Sequence, residues 1–272
     1  MSGGEAIRCE GLGFRYRDGT RALRGVELRI ESATRVAIIG QNGSGKSTLV
    51  RQFNGLLRPT EGRVLVHGAE IGRRHVAEMA REVGLAFQNP DRQIFAARVR
   101  DEVAFGPRNL GLRGTALVAS IDRALGAVGL GDSAEANPYD LGFSKRKLLA
   151  LASVIAMDTP ILVLDEPTTG QDARGVGRIR DVVASVAAEG RTVITITHDM
   201  RFAAEAFERV VVMGEGRVLA DGTPAEVFGP AMWPILQSTN LEAPLAARLG
   251  AAWGLGSTPT EASLVAALEA RH

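Results

Sequence analysis

The chain has 272 residues, enough for one large domain or for one domain with an appendage. Its 32 basic and 31 acidic residues leave a formal net charge of +1, which gives no support for nucleic-acid binding through bulk charge. Hydrophobic residues make up 45% of the sequence, which excludes a disordered chain. No apolar run approaches the ~18 residues that a membrane-spanning helix requires. The composition therefore predicts a folded, globular protein.

The basic residues are unevenly divided between the two types. The sequence contains 29 arginines and only three lysines, Lys46, Lys145 and Lys147. Codon usage in a GC-rich genome explains an excess of arginine. It does not explain why these three positions are lysine.

The single cysteine, Cys9, cannot form a disulfide within the chain. A chain with one cysteine and hence no internal disulfide fits a reducing compartment. Cys9 lies in the alternating stretch Ala6–Gly11, and we expect it to be a small core residue rather than a nucleophile.

Strand-like runs and helical patterns alternate along much of the chain, which is typical of an α/β sheet. Several of the runs are continuous in Val, Ile and Leu, as expected for strands buried on both faces. Helical patterns cover Ser144–Ala156 and Gly175–Ala188. The predicted strands are Val26–Ile30, Val36–Ile39, Val64–Val66, Val83–Phe87, Ile161–Leu164, Val193–Ile196 and Val210–Met213.

Two regions depart from this alternation. Residues from about 89 to 158 show helical patterns joined by Gly- and Pro-containing loops, and we interpret them as a helical insert. After Phe228, two short amphipathic helices are predicted at Leu241–Leu249 and Glu261–Ala270. The predicted organisation is a main domain over residues 1–235 with its helical subdomain at about 89–158, followed by a helical extension over residues 236–272.

Residues 40–48 read Gly-Gln-Asn-Gly-Ser-Gly-Lys-Ser-Thr and match the pattern G-x-x-x-x-G-K-[ST] between a strand and a helical stretch. Glycines let backbone N–H groups turn toward phosphate oxygens, and the helix N-terminus adds a favourable dipole. Lys46 supplies a compact cation for the β- and γ-phosphates, and the Ser47 hydroxyl suits Mg²⁺. The loop predicts nucleotide binding. By itself it does not separate kinases, GTPases, helicases and transport ATPases.

Two carboxylates follow the apolar run Ile161–Leu164 directly. Asp165 at the strand end is suited to hold Mg²⁺ through water, and Glu166 to polarise a water that attacks the γ-phosphate. The strand Val193–Ile196 ends in Thr197 and His198. A histidine at the carboxyl end of a neighbouring strand can reach a γ-phosphate.

These features, in this order, resemble the nucleotide-binding subunits of ABC transporters over Ile7–Phe228. The resemblance implies an α/β P-loop NTPase fold with a mixed β-sheet core, a helical subdomain and a small C-terminal helical extension. It implies an ATPase whose catalytic residues are Glu166, His198 and Gln88. Mg²⁺ would be held by Ser47, Gln88 and Asp165. ATP would be bound by Asn42, Gly43, Ser44, Gly45, Lys46, Ser47 and Thr48, with Tyr16 stacked on adenine.

A narrower resemblance is to the energy-coupling-factor branch of that family. It rests on Gln88–Phe95, on Glu102–Leu112 and on the C-terminal segment Pro244–Ala270. It implies uptake of a vitamin or a transition-metal ion through a transmembrane T component and a substrate-capture S component. It also implies a peripheral position at the cytoplasmic face of the cell membrane, reached only through these partners, and no nucleic acid. The C-terminal extension would help two ATPases to pair, and Asp172 matches a loop at that dimer contact.

One motif departs from the family pattern. The signature Leu-Ser-Gly-Gly-Gln aligns without a gap to residues 141–145, where Gly142, Phe143, Ser144 and Lys145 follow Leu141. In the family this motif acts on the ATP held by the partner subunit. Phe143 places a large side chain where the pattern has glycine. Ser144 could supply a hydroxyl instead, and Lys145 or Lys147 could supply charge.

The altered signature bears on the oligomer. Because Lys46, Asp165, Glu166 and His198 are kept, the chain's own ATP site is expected to be competent. A heterodimer with a second ATPase confines the altered motif to one site, so a heterodimer is favoured, although a homodimer stays open. Two alternatives also stay open: a regulatory ATP-binding subunit that hydrolyses weakly, and a soluble ABC ATPase unconnected with transport.

Overall fold

The computed structural model describes residues 4–271, so residues 1–3 and His272, at the ends of the predicted domain and extension, lie outside the described residues. The strands are β1 (Glu5–Arg15), β2 (Arg21–Glu31), β3 (Arg35–Ile39), β4 (Glu61–Val66), β5 (Ala69–Glu70), β6 (Val83–Ala86), β7 (Ile161–Asp165), β8 (Thr192–Ile196), β9 (Arg209–Gly214) and β10 (Arg217–Gly222). The α-helices are α1 (Lys46–Phe53), α2 (Val76–Met79), α3 (Val99–Asn109), α4 (Gly114–Ala127), α5 (Phe143–Ile155), α6 (Ala173–Ala188), α7 (Met200–Ala206), α8 (Pro224–Val227), α9 (Trp233–Ser238), α10 (Leu245–Ala252) and α11 (Glu261–Glu269). The predicted α/β class is confirmed by these elements.

The described chain divides into two compact units. The first comprises the residues up to Arg73 together with those from Ile196 onward, and the second runs from Arg74 to Thr195. The C-terminal segment groups with the N-terminal strands, and the predicted boundary between a main domain and an extension at residue 235 stays a prediction. The second unit also extends beyond the predicted helical subdomain at about 89–158, since β6, β7 and α6 belong to it.

Two groups of strands form the first unit. An antiparallel sheet has the order β2-β1-β4-β5, and β1 pairs with β2 through partners such as Cys9 and Leu28. The second group has the order β10-β9-β3, in which β3 runs parallel to β9 and pairs Ala37 with Val210. Val36–Ile39 is fully buried, as the continuous apolar run predicts. Because β3 leads directly into residues 40–48, this buried strand fixes the base of the predicted phosphate loop.

The second unit has the strand order β8-β7-β6, with β6 parallel to β7 and Leu85 paired with Val163. Between β6 and β7 the structure has helices and turns only, among them α3, α4 and α5. Helix α5 is buried from Lys147 to Ile155 and exposes its first residues. It therefore carries the predicted signature residues at an exposed N-terminus on an otherwise buried helix.

The C-terminal prediction needs one correction. The helix expected at Leu241–Leu249 begins only at Leu245, because Asn240 has a positive φ of 54° and Pro244 precedes the first helical residue. The helix expected at Glu261–Ala270 is present as α11, and Thr260 caps it with a capping box. No helix within residues 4–271 is long and apolar enough to cross a membrane.

Cys9 lies on β1 with 1% of its surface exposed. Burial raises the pKa of its thiol well above the ordinary value, and the charge of Glu27 acts in the same direction. The thiolate, which is the reactive form, is therefore suppressed.

We expect the native protein not to react with iodoacetamide at pH 8, and the unfolded protein to react fully. Because the chain has one cysteine, the mass of the intact protein reports the reaction without ambiguity. Rapid alkylation without denaturant would contradict a core position for Cys9.

Candidate functional site

The predicted phosphate loop is a tight turn between β3 and α1. Gly40, Gly43 and Gly45 have φ angles of 155°, 82° and 101°. A Cβ at Gly40 would lie 2.2 Å from the carbonyl oxygen of Met213, and a Cβ at Gly45 would lie 2.6 Å from that of Ala22. Glycine is therefore required twice over at both positions, by backbone conformation and by close approach of another backbone.

The turn between β9 and β10 supports this loop from the side. The amide of Gly216 donates to the carbonyl oxygen of Ser44 at 3.0 Å, and the amide of Arg24 donates to that of Gly216 at 2.9 Å. The loop is thus bonded to a turn that itself is bonded to β2. This hydrogen bond was not predicted, because the local sequence around residue 216 does not indicate that it lies near residue 44.

Lys46 is 6% exposed and turns back over the loop. Its Nζ donates to the carbonyl oxygens of Gly40 at 2.7 Å and Gln41 at 2.9 Å. Ser44 is buried, Ser47 is half-buried, and Asn42 and Gly43 are exposed at the crest of the loop. The ammonium therefore lies inside the curve of the loop, where a phosphate group would meet it.

Tyr16 lies beside the end of the phosphate loop. Its hydroxyl is 2.8 Å from Oγ1 of Thr48, and its ring stands edge-on to Phe14 with centroids 4.9 Å apart. Phe14, Tyr16 and Leu57 line an open pocket on the first unit. The structure thus brings together Tyr16 and Thr48, two of the predicted nucleotide-binding residues.

His198 follows β8 and is exposed. The amide of its neighbour Thr197 donates to the carbonyl oxygen of Ile38 on β3 at 3.2 Å. Asp199 caps α7 by accepting from the amide of Phe202 at 2.9 Å. His198 is therefore held between a strand contact and a helix cap, next to the strand that leads into the phosphate loop.

A contact between the C-terminal segment and the phosphate loop was missed by sequence reasoning. The side-chain amide of Asn240 donates to Oε1 of Gln41 at 2.6 Å across 199 residues of sequence. Asn240 has a positive φ, a conformation that asparagine adopts more readily than most residues. The residue type is therefore a local indication of a turn, but it does not indicate the contact with Gln41.

The remaining predicted residues lie on the second unit. Gln88 is exposed just after β6. Gln93 fixes the segment that follows, since its Nε2 donates to the carbonyl oxygen of Ala150 at 2.7 Å and its Oε1 accepts from the amide of Phe87 at 3.1 Å. Asp172 caps α6 by accepting from the amide of Gly175 at 2.7 Å.

Asp165 and Glu166 stand at the end of β7, 3% and 5% exposed. Glu166 has a φ of 52°, an uncommon value for a residue other than glycine. It also precedes Pro167, and a residue before proline prefers extended backbone. The backbone at Glu166 is therefore strained, as is common where a side chain is held for function.

Lys147 departs from the sequence expectation. It is 5% exposed, and its Nζ donates to the main-chain carbonyl oxygens of Glu166 and, at 3.1 Å, of Thr169. Burial lowers the pKa of Lys147 to about 8, while the charges of Glu166 and Asp165 act in the opposite direction. Lys147 therefore points into its own chain and does not offer a surface charge to a partner's ATP.

The other signature residues surround the exposed N-terminus of α5. Gly142 is the N-cap, and Phe143 and Lys145 are exposed. Oγ of Ser144 donates to Oε1 of Gln171 at 2.8 Å, and Nε2 of Gln171 donates to the carbonyl oxygen of Ser144 at 3.1 Å. The Ser144 hydroxyl is thus already engaged within the chain.

The donor chemistry within each unit suits a nucleotide phosphate or its metal ion. The loop of residues 40–48 presents backbone amides around a buried ammonium, with glycine at the points that a Cβ would obstruct. The hydroxyl of Ser47, the amide oxygen of Gln88 and the carboxylate of Asp165 are the hard oxygen ligands that Mg²⁺ prefers. Among residues 4–271 no group of three or more His, Cys, Asp or Glu side chains could hold a metal.

Comparison with known proteins agrees with this geometry. The sequence profile of the ABC transporter family matches residues 23–169. An energy-coupling factor transporter ATP-binding protein, EcfA, of Methanocaldococcus jannaschii is 40% identical over 245 residues, which cover 89% of this chain and 87% of that protein. The chain belongs to the ATP-binding proteins of ABC transporters, in their energy-coupling-factor branch.

Two further comparisons support this assignment. EcfA1 of Methanospirillum hungatei is 40% identical over 95% of both chains. The solved structure of CbiO1 from Clostridium perfringens, described as part of the ABC transporter complex CbiONQ, superposes with a TM-score of 0.77 at 35% identity, over 92% of this chain and 99% of that one. The predicted family, P-loop fold and ATPase class are confirmed, and this ABC ATPase binds ATP.

Gly43 and Gly45 allow a matched test of the phosphate loop. Both have positive φ, but a Cβ at Gly43 would meet nothing within 4 Å, whereas one at Gly45 would lie 2.6 Å from Ala22. Left-handed backbone alone costs an L-residue about 1–2 kcal/mol. Overpacking at Gly45 adds about 1–3 kcal/mol. We therefore expect Gly45→Ala to lower the free energy of unfolding, and to weaken ATP binding, more than Gly43→Ala.

Denaturant titration and binding of a fluorescent ATP analogue measure the two effects. Equal losses in the two variants would show that the contact with Ala22 does not constrain the loop.

Proposed function

We propose that this ABC ATPase powers uptake of a vitamin or a transition-metal ion, as one half of an ATPase heterodimer at the cytoplasmic face of the membrane. A transmembrane T component and a substrate-capture S component are the proposed partners. The relatives' names support the energy-coupling-factor assignment, and CbiO1 is described as part of a complex. The observation that carries the proposal is the phosphate loop with its inward Lys46. The altered signature at the N-terminus of α5 supports the heterodimer.

The first unit is proposed to bind and orient ATP. Amides of residues 42–48 and the Lys46 ammonium neutralise the phosphate oxygens, and the N-terminus of α1 adds its dipole. Tyr16 stacks on adenine, with its ring orientation held by Phe14 and Thr48. His198 contacts the γ-phosphate from its capped position before α7.

The second unit is proposed to supply the hydrolytic groups. On this unit Gln88 and Asp165 would be ligands of Mg²⁺, and on the first unit Ser47 would be another; the ion would supply positive charge for the phosphate oxygens. Glu166 accepts a hydrogen bond from the attacking water and orients it toward the γ-phosphorus. The chain's contribution is positioning and charge stabilisation, without a covalent intermediate on the protein.

Glu166→Gln tests which role this chain has. The amide keeps the shape of the side chain but cannot take a proton, so we expect turnover of the purified transporter complex to fall about 10²–10⁴-fold. ATP affinity should stay near the wild-type value, because the phosphates are bound by another set of residues. Phosphate release and nucleotide binding measure these two quantities.

Glu135→Gln is the matched control, since Glu135 is exposed and pairs with Arg98 and Arg100 on the same unit. Unchanged complex turnover in the Glu166→Gln variant would favour the alternative of a regulatory subunit that binds ATP and hydrolyses it weakly.

An exposed aromatic pair on the second unit supports docking of a membrane partner. Phe95 and Phe105 are 60% and 49% exposed, and their rings meet edge-on at 4.7 Å. Phe105, Leu110 and Met157 line a groove together with the charged residues Glu78 and Arg81. A groove lined by both apolar and charged side chains suits the end of an amphipathic helix. We assign this groove to a cytoplasmic helix of the T component.

Phe105→Asp tests that assignment. A carboxylate in the groove opposes burial of an apolar helix face there, so we expect the variant to lose co-purification with membrane components while it still binds ATP. Val118→Asp on α4 is the control, because Val118 is 46% exposed outside the groove.

The wild-type complex also reports the oligomer. Recovery of a second, different ATPase chain supports the heterodimer, and recovery of this chain alone indicates a homodimer. Recovery of no membrane component with the wild-type chain would favour the soluble, non-transport alternative.

A further inference from the structure

Three residues of the altered signature helix contact the segment that carries Glu166, here called the 166–171 loop. Lys147 donates to two carbonyl oxygens of that loop, at Glu166 and Thr169. Ser144 exchanges hydrogen bonds with Gln171 through its hydroxyl and its carbonyl group. The contacts span both ends of the loop, so the start of α5 and the loop form one bonded structure.

Phe143 contacts Gly170, the residue before the last of the same loop. A Cβ at Gly170 would lie 2.7 Å from Cε1 of Phe143, so the ring packs directly on the glycine backbone. Gly170 has a φ of 75°, which also favours glycine. The aromatic side chain that departs from the family signature therefore has a packing site within its own chain.

The loop needs such support because of the backbone at Glu166. The backbone conformation of Glu166 is unfavourable for two reasons: its φ is positive although it is not glycine, and a residue before proline prefers extended backbone. Such a conformation persists only when neighbouring groups fix it. The Lys147 ammonium binds the carbonyl group of this very residue, and a charged donor makes the stronger kind of hydrogen bond.

We infer that Lys147 is a positioning residue for Glu166, and that Phe143 and Ser144 complete a brace by which the altered signature helix holds the 166–171 loop of its own chain. This role rests on the proposed function of Glu166 in hydrolysis. Lys147 does not touch the reacting atoms. It fixes the peptide from which the Glu166 side chain projects, and a carboxylate misplaced by ~1 Å can cost about 10²-fold in rate.

Lys147→Met removes the donors and keeps an unbranched side chain, whereas Lys147→Gln keeps amide donors. Both side chains are one atom shorter than that of lysine, so the two variants differ in donors rather than in length. In the transporter complex we expect Lys147→Met to lower kcat on the order of 10–100-fold, with KM for ATP nearly unchanged. Lys147→Gln should recover a substantial part of kcat. Because a smaller folded fraction would also lower the apparent kcat at unchanged KM, kcat is expressed per ATP-binding site, counted by nucleotide titration.

Hydrogen exchange of the isolated full chain gives a second readout that does not depend on activity. Amides of the 166–171 loop should exchange at least about tenfold faster in Lys147→Met. Lys145→Met, an exposed lysine on the same helix, is the control for exchange, and it should leave these amides as in the wild type. Should Lys147→Met fail to fold, Ser144→Ala removes one half-buried contact of the same brace and should also speed exchange in the loop.

Glu166→Gln is measured in the same assays and separates the two proposals. If Glu166→Gln leaves turnover unchanged, the proposed hydrolytic role fails. If Glu166→Gln abolishes turnover while Lys147→Met keeps wild-type kcat and wild-type exchange, the positioning role alone is overturned. Equal kcat losses in Lys147→Met and Lys147→Gln, with unchanged exchange, would also overturn it.

Discussion

The close approach of backbone to backbone around the phosphate loop is the constraint on which the first unit depends. Gly40 lies against the carbonyl group of Met213 on β9, and Gly45 against that of Ala22 on β2. A side chain at either position would displace a strand as well as the loop. Strands from both groups in this unit therefore contact the nine-residue phosphate loop, and these contacts fix the position of the loop.

A different device operates at Glu166. There the chain has an unfavourable backbone that hydrogen bonds from a helix compensate, and the proposed hydrolytic role requires glutamate rather than glycine at this position. The phosphate loop binds through main-chain amides, so it can use glycine freely. In the proposed function Glu166 acts through its side chain, so its backbone conformation has to be stabilised by neighbouring groups. Glycine in the phosphate loop thus suits binding by main-chain amides, and the contacts from α5 suit a residue that acts through its side chain.

The sequence predicted the parts of the fold that depend on local pattern. Buried strands such as β3 and β7 appear as continuous apolar runs, and the phosphate loop has fixed residues at fixed spacing. The hydrogen bond of Asn240 with Gln41 and that of Gly216 with Ser44 could not be predicted. In each pair the two residues are far apart in sequence, and the local sequence around one gives no information about the other. The direction of Lys147 was also missed. On a helix that is buried all round from residue 147, periodicity does not distinguish a lysine that faces a partner from one that faces a neighbouring loop.

The three lysines of an arginine-rich chain can now be divided by their surroundings. Lys46 and Lys147 are buried, and each donates to two main-chain carbonyl oxygens of a loop that carries a functional residue. Lys145 is exposed. A guanidinium is planar and wider than an ammonium, and its donors diverge in a fixed fork, so it cannot converge on two carbonyl groups inside a tight turn. Codon usage replaces lysine by arginine where either residue serves. The two buried positions are where geometry excludes the replacement, and both lie at the loops on which ATP binding and the proposed hydrolysis depend.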